Sequence, residues 1–282
     1  MDKRKLEEHF FKCLMLLSTS IVVGSLLVVF VVVILKGAPA LSIAMLTQTP
    51  KGGYYLGKEG GILNAIAGSL ILASGATLLA FLLSFMVIIY LHGYAGKSRF
   101  ADFIRLSLDV LWGVPSIVLG AFIFIIMFYI RARASLFWGI ITIGILELPI
   151  LTRAMDEVMK MTPSKLIEAS YSLGSTRLET LVNVTARQAL PGILTAILLA
   201  FGRGIGDAAS VLFTAGYTDS IPSSLFDPVA TLPLAIFFQL GTPIVEVQQR
   251  AYASGIVLLF LVLSLSLLSR FAMRKFTNYI IK

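Results

Sequence analysis

Six long apolar runs constrain this chain more than any other feature. They cover about Leu14 to Leu35, Ile62 to Tyr90, Leu106 to Ile130, a shorter Leu136 to Leu151, Leu190 to Ala215, and Tyr252 to Leu268. A helix of about 20 apolar residues, rising about 1.5 Å each, spans the roughly 30 Å hydrocarbon core of a bilayer. Hydrocarbon cannot satisfy backbone N–H and C=O groups, so such runs predict helices that close their own hydrogen bonds. The expected fold class is all-α, a polytopic membrane protein with six transmembrane helices. Only 13% of the 282 residues are charged, against roughly 25% in a soluble domain, which excludes an ordinary soluble protein. The single cysteine, Cys13, excludes a disulfide within the chain and a cysteine metal cluster.

The N-terminal segment holds Lys3, Arg4, Lys5 and Lys12 but also Glu7, Glu8 and His9, and no small-residue cleavage site follows. That pattern predicts a retained first span, not a signal peptide. With the N-terminus inside, sixteen of the 23 basic residues fall in cytoplasmic segments and six outside, leaving Arg203 within a span. The positive-inside rule therefore places both termini in the cytoplasm, with the chain a multi-pass protein of the cytoplasmic (inner) membrane. The net charge of +8 is in large part a topology signal, and no nucleic-acid partner is needed to account for it.

Residues 1–61 read as an N-terminal segment, first span and external loop, and residues 62–282 as the main membrane domain, with a cytoplasmic loop at 152–189. Outside, Gly216 to Arg250 carries Pro222, Pro228, Pro233 and Pro243. Its apolar piece Leu232 to Leu240 is too short to span and predicts an interfacial or re-entrant helix. On the second run, Asn64, Gly68, Ser74, Thr77 and Ser84 are small or polar residues suited to close helix packing.

The cytoplasmic loop carries strong helix punctuation. Thr162 and Pro163 mark a helix start, and Gly174 the residue just past its end. Thr176 and Glu179 have capping-box spacing for a second helix, on which Leu178, Leu181, Val182 and Thr185 share a face. A helix, a glycine turn and a helix on the inner surface can transmit force between a soluble partner and the spans.

Arg203 is the one basic residue without a topological reason. It lies 13 residues beyond Leu190, about 20 Å into the core if the span starts there. An intramembrane charge costs on the order of 3 kcal/mol on insertion scales. Asp207, one turn on, is placed for an i,i+4 contact, and Ser210 and Thr214 continue that face. Two readings stay open: a structural pair with Asp207 near the small residues Gly202 and Gly206, or a guanidinium that meets an anion with its planar fork. Arg153 stands at the inner end of the fourth span, where snorkelling alone accounts for it. Glu147 in the fourth span and Asp109 in the third are candidate partners for arginines.

These segments also carry a family resemblance. Glu168-Ala169-Ser170, then Gly174 and Val184, resembles the EAA loop of ABC importer permeases. Gly113 to Gly120 (GVPSIVLG) is similar to a phosphate-permease segment, as is Leu190 to Thr195 (LPGILT). Arg203 to Ala209 (RGIGDAA) resembles the R-x-x-GETAP stretch of PstA-type subunits, and Gln249 to Ala253 also fits. The chain from about Gly61 onward is thus identified as resembling the PstA-type permease family of phosphate ABC importers, with PstC-type subunits its near relatives. The resemblance implies a type I, MetI-like permease fold, with 62–282 as the permease domain. It also implies a PstC-type permease partner, two ATP-binding PstB-type subunits and an external phosphate-binding protein.

Glu168, Ala169 and Gly174 would then couple ATPase motion to the spans, and Arg203, Arg153 and Asp207 would line the phosphate path. The sequence departs from the pattern at Ser170, at Ala186-Arg187 where Leu-Pro is usual, and at Asp207 where glutamate is usual. Alternatives are a permease for another oxyanion such as sulfate or molybdate, or a non-transporting scaffold. The chain itself is not expected to be an enzyme or to hold a cofactor or metal. Gly96-Lys97-Ser98 has Leu91 where a Walker A loop needs glycine, so ATP hydrolysis belongs to a separate subunit. Gly202, Gly204 and Gly206 miss the dinucleotide fingerprint, and His9 and His92 stand alone.

Overall fold

The computed structural model describes residues 3–51, 59–96 and 98–277. Lys58, Lys97 and Lys282, counted above in the charge balance, lie outside the described residues. The described elements are α1 (Lys3–Gly37), α2 (Ile43–Thr47), a two-stranded ribbon β1 (Pro50–Lys51) and β2 (Glu59–Gly60), and α3 (Leu63–Tyr90). There follow α4 (Arg99–Gly113), α5 (Ser116–Tyr129), α6 (Leu136–Lys160), α7 (Ser164–Ser172), α8 (Arg177–Glu179), α9 (Ala186–Ile205), α10 (Leu232–Leu240) and α11 (Val245–Thr277). Leu91–Ala95 and Thr180–Thr185 are wound as π-helix. Five helical stretches are long and apolar enough to cross a membrane, and the pair α4 and α5 makes a sixth if taken as one span.

The core is the contact of α3 with α6 and α9. The buried face of α3 is mostly small: Ala65, Gly68, Ser69, Ala73, Ala76, Ala80 and Ser84 recur at helical spacing. Small side chains let backbones approach, which drives helix association where lipid supplies no hydrophobic force. A β-carbon at Gly68 would run into the Ala230 carbonyl oxygen. Of the packing positions predicted on this helix, Asn64, Gly68, Thr77 and Ser84 are buried and Ser74 faces outward. By contrast α1 is exposed along nearly its whole length and leans only on α11 and the turn that follows it. The Gln249 to Ala253 segment holds that contact. Ala253 backs onto Gly37, Lys36 lies 5.2 Å from the Tyr252 ring centre, and Arg250 Nη2 donates to the Gly60 carbonyl.

Two spans differ from the sequence reading. The third is not one helix: α4 and α5 meet at a bend of 101°. Pro115 has no N–H to donate and forces Val114 out of the α region, to φ −72° and ψ 126°. The fifth does not continue as helix to Ala215. It ends at Ile205, with Gly206 as its cap, and residues 207–215 run on in turns.

The predicted helix at Leu232–Leu240 is present. Thr231 caps it by accepting the Leu234 N–H, and the chain enters it with Leu232 N–H donating to Ser69 Oγ at 2.8 Å. Its inner face, including Leu232, Leu234 and Ala235, is buried against α3 and α11.

Candidate functional site

The interruption of α9 is the centre of the site. The β-carbon position of Gly204 overlaps Glu147 Oε1 of α6, so α9 ends alongside Glu147. Glu147 is eleven residues past Leu136, about 16 Å along a helix of roughly 37 Å. The chain covers the remaining distance to the Leu136 end without helix. At the top, the Ser135 N–H donates to the Thr214 carbonyl at 2.9 Å, and Gly139 packs on Ala215. Non-helical backbone inside a membrane bundle occurs where it is buried in protein or lines a water-filled cavity. Here Ser210, Val211, Thr214 and Ala215 are buried.

Asp207 organises this turn. Its Oδ1 accepts the Ser210 N–H at 2.8 Å, three residues on, as an N-cap side chain does. With the helix ended at Ile205, the i,i+4 pairing with Arg203 does not form, and the stripe Arg203, Asp207, Ser210, Thr214 is not a helical face. The shorter carboxylate closes its own turn instead. Arg203 occupies the last turn of α9, is exposed, and makes no ion pair or hydrogen bond among the described residues. Its charge opposes the partial negative charge of the helix C-terminus, so the same spot that would repel an anion is made able to receive one.

Gly120 of α5 packs its Cα face on the Ser210 backbone. Two of the segments that carry the phosphate-permease resemblance, 113–120 and 203–209, therefore come together, through Gly120 and the residue that follows the second segment. The first supplies the bend and the second the broken helix.

Arg153 has a partner. Its Nε and Nη2 donate to the two oxygens of Asp109 on α4 at 2.7 and 2.6 Å, a bidentate fork. Three residues along α6, Asp156 is almost wholly buried and gathers basic side chains from three elements. Its oxygens lie 2.8 Å from His92 Nε2 in the π-turn after α3, 2.7 Å from Lys160 Nζ and 3.6 Å from Arg105 Nε of α4. The sequence reading left His92 alone and did not single out Asp156. The i,i+4 spacing of Asp156 and Lys160 was the one local sign of this cluster.

The loop beyond it is two short helices joined at a glycine turn. Helix α7 starts one residue later than read: Pro163 precedes it and Thr162 Oγ1 makes no cap. Gly174 has φ +85°, the left-handed geometry that ends a helix without strain in glycine. The Thr176–Glu179 capping box is complete. Thr180–Thr185 then winds as π-helix and shifts the register. Leu181 and Thr185 turn inward, while Leu178 and Val182 stay exposed. Ser170, where the EAA pattern has alanine, is buried and hydrogen-bonds Thr180 at 2.9 Å, tying the two helices together. Glu168, Ala169, Leu173 and Leu178 remain on the open side. A cavity of about 160 Å³ between α7 and the end of α6, lined by His92, Lys160, Thr162, Tyr171 and Thr180, separates this loop from the Asp156 cluster.

Comparison with known proteins places this geometry. Residues 91–280 match the family described as binding-protein-dependent transport system inner membrane component. The phosphate transport system permease protein PstA of Yersinia pestis is 36% identical over 242 residues, covering 85% of this chain and 81% of its own. The PstA of Haemophilus influenzae is 32% identical over 84% and 83% of the two chains. This chain belongs to the PstA family of permeases. The fold agrees. The MetNI methionine ABC transporter in an inward-facing conformation aligns with TM-score 0.62 at 16% identity, over 76% of this chain and 95% of the other. A bacterial alginate ABC transporter aligns with TM-score 0.66 at 13% identity, over 99% of both. As a PstA-family member the chain is a multi-pass inner-membrane component with the type I permease fold. In this chain the break after Ile205 leaves Arg203 in the last turn of α9, beside Gly204 and its contact with Glu147.

Proposed function

We propose that this chain is a permease subunit of an ATP-driven importer that moves inorganic phosphate across the cytoplasmic membrane, with Arg203 the group that meets the anion in transit. The observation that carries the reading is the placement of Arg203: a cation with no partner among the described residues, on a helix broken halfway along the bundle. A guanidinium keeps its charge and offers a planar fork to a tetrahedral oxyanion.

The exposed loop bearing Glu168, Ala169 and Gly174 supports docking of an ATPase subunit. The complex we infer has a PstC-type partner permease, two PstB-type ATPases and an external phosphate-binding protein. Residues 62–282 form its permease domain, and both termini lie in the cytoplasm on the basic side. Arg153 and Asp207 have secondary parts, one held at the rim by Asp109 and the other shaping the turn after Arg203. Transport requires weak contact, because a site that binds tightly stalls release.

The test is uptake of radiolabelled phosphate by vesicles carrying the whole importer with Arg203→Ala. Loss of one charge-assisted bidentate contact predicts a fall of about 10- to 100-fold, with ATPase co-purification unchanged. Wild-type uptake would remove Arg203 from the path, and uptake of sulfate or molybdate in place of phosphate would reassign the substrate.

A further inference from the structure

Glu147 is a buried acid for which this path as described has no use. It is fully buried, and neither carboxyl oxygen has a hydrogen-bond partner among the described residues. The polar neighbour it has is the Thr77 hydroxyl on α3, which does not reach it in full hydrogen-bond geometry and brings no positive charge. A carboxyl in such a place is costly unless it keeps its proton or meets a cation. The cations toward the Lys160 end are engaged: Arg153 with Asp109, and His92, Arg105 and Lys160 around Asp156.

Arg203 is not engaged, and it is the residue next to Gly204, whose missing side chain gives Glu147 its room. Consecutive Cα atoms are about 3.8 Å apart, so the carboxyl stands within about 7 Å of the Arg203 Cα, which an arginine side chain reaches by changing rotamer. In the described state Arg203 points away, exposed, and the carboxyl is left without a partner.

We infer that Glu147 is the internal counter-ion of Arg203: the guanidinium alternates between the oxyanion in transit and this carboxyl, and the exchange frees the anion. This rests on the reading that Arg203 contacts phosphate. The chemistry is competition for one fork, since a carboxylate and a phosphate offer the same paired oxygens to a guanidinium. An anion leaving Arg203 would otherwise strand a bare charge inside the bundle. With Glu147 in reach, departure is an ion exchange: the carboxyl, which keeps its proton while it has no cation, passes that proton to the departing phosphate as it takes up the guanidinium. Gly204 keeps the exchange short by letting the acid lie against the α9 backbone.

The test is phosphate transport kinetics of the reconstituted importer with Glu147→Gln, which keeps the shape and removes the charge. Without its competitor the anion is held longer, so KM and kcat both fall, each by about tenfold for the loss of a contact of this kind. In an Arg203→Lys background, where the fork is gone, the same substitution has a much smaller effect. Unchanged KM and kcat overturn the inference, and so does an equal loss in both backgrounds. Should Glu147→Gln fail to assemble, Glu147→Asp is read instead: its shortened reach lowers both constants part-way, and wild-type kinetics overturn the proposal. Normal uptake by Arg203→Ala sinks the underlying reading. A dead Arg203→Ala beside a silent Glu147→Gln sinks the counter-ion alone.

Discussion

The charges on α6 fall into two groups with opposite treatment. Near the Lys160 end, Arg153 has a bidentate partner and Asp156 is surrounded by cations from α3's π-turn, α4 and α6 itself. Halfway along the same helix, Glu147 lies buried with no cation beside it among the described residues, next to the end of α9, where Arg203 likewise makes no ion pair among them. The first group joins elements. The second does nothing for stability in the state described, and a bundle that only needed to hold together would have an apolar residue there. On the reading proposed above, the paired charges belong to the frame and the unpaired ones to the path of the anion.

The sharpest way to break this contrast is to remove one acid from each group. Asp156→Ala leaves His92, Lys160 and Arg105 facing one another across a buried gap, and breaking a buried ion cluster costs on the order of 3 kcal/mol. The expected outcome is a chain that barely accumulates in membranes, with any extracted complex melting well below wild type. Glu147→Ala removes an unpartnered group and leaves the amount of complex close to wild type. If the two variants lose abundance equally, the division between frame and path is wrong.

A second, smaller effect separates packing from charge at the break. In Gly204→Ala the new methyl overlaps Glu147 Oε1 and comes 2.9 Å from Ile143 Cγ2. Overpacking of this kind costs about 1–3 kcal/mol. Combining it with Glu147→Ala clears most of the space, so the double variant recovers part of the lost thermal stability. Additive losses instead would mean that the acid does not lie against Gly204.

Much of the frame was legible from sequence because it follows from local rules. The apolar runs gave the spans, and Gly174 and the Thr176–Glu179 spacing gave the ends of the loop helices. The path was legible only as residue types. Arg203 stood out by having no topological reason, but a helix running on to Ala215 made Asp207 its neighbour. The glycines at 204 and 206 hinted at the break, and Pro115 at the bend, yet continuous hydrophobicity outweighed both. Nothing local joins His92 to Asp156, 64 residues apart, or sets Glu147 against Gly204. Those pairings come from how α3, α6 and α9 pack, which a pattern of hydrophobicity does not encode. The π-wound turn at Thr180–Thr185 likewise reassigned the face read from a 3.6 period.

The smallest effect concerns the Leu136 end of α6, where the frame is held from the loop that precedes α10. The α6 N-terminus has no side-chain cap. Its Leu136 N–H donates to the Asp227 carbonyl and its Phe137 N–H to the Leu225 carbonyl, at 2.8 and 2.7 Å. The loop that offers those carbonyls is tied by the Asp227 carboxylate, which accepts from Ser223 Oγ at 2.8 Å and from the Ser223 and Ser224 N–H groups at 2.9 Å each. These bonds, the Ser223 hydroxyl first, hold the Asp227 pKa below its ordinary 3.8. A depressed carboxylate pKa adds stability at and above the unfolded value, and that stability is lost as pH falls through the folded value. The protection of the Leu136 and Phe137 amides, relative to the intrinsic exchange rate at each pH, is therefore expected to be flat from neutral pH down to about 4 and to fall below it. In Asp227→Asn the amide replaces the charged acceptor, so protection is lower throughout and the acid step disappears. An acid step that persists in Asp227→Asn would assign the anchoring of this α6 terminus to another group and leave the loop's carboxylate without a part in the frame.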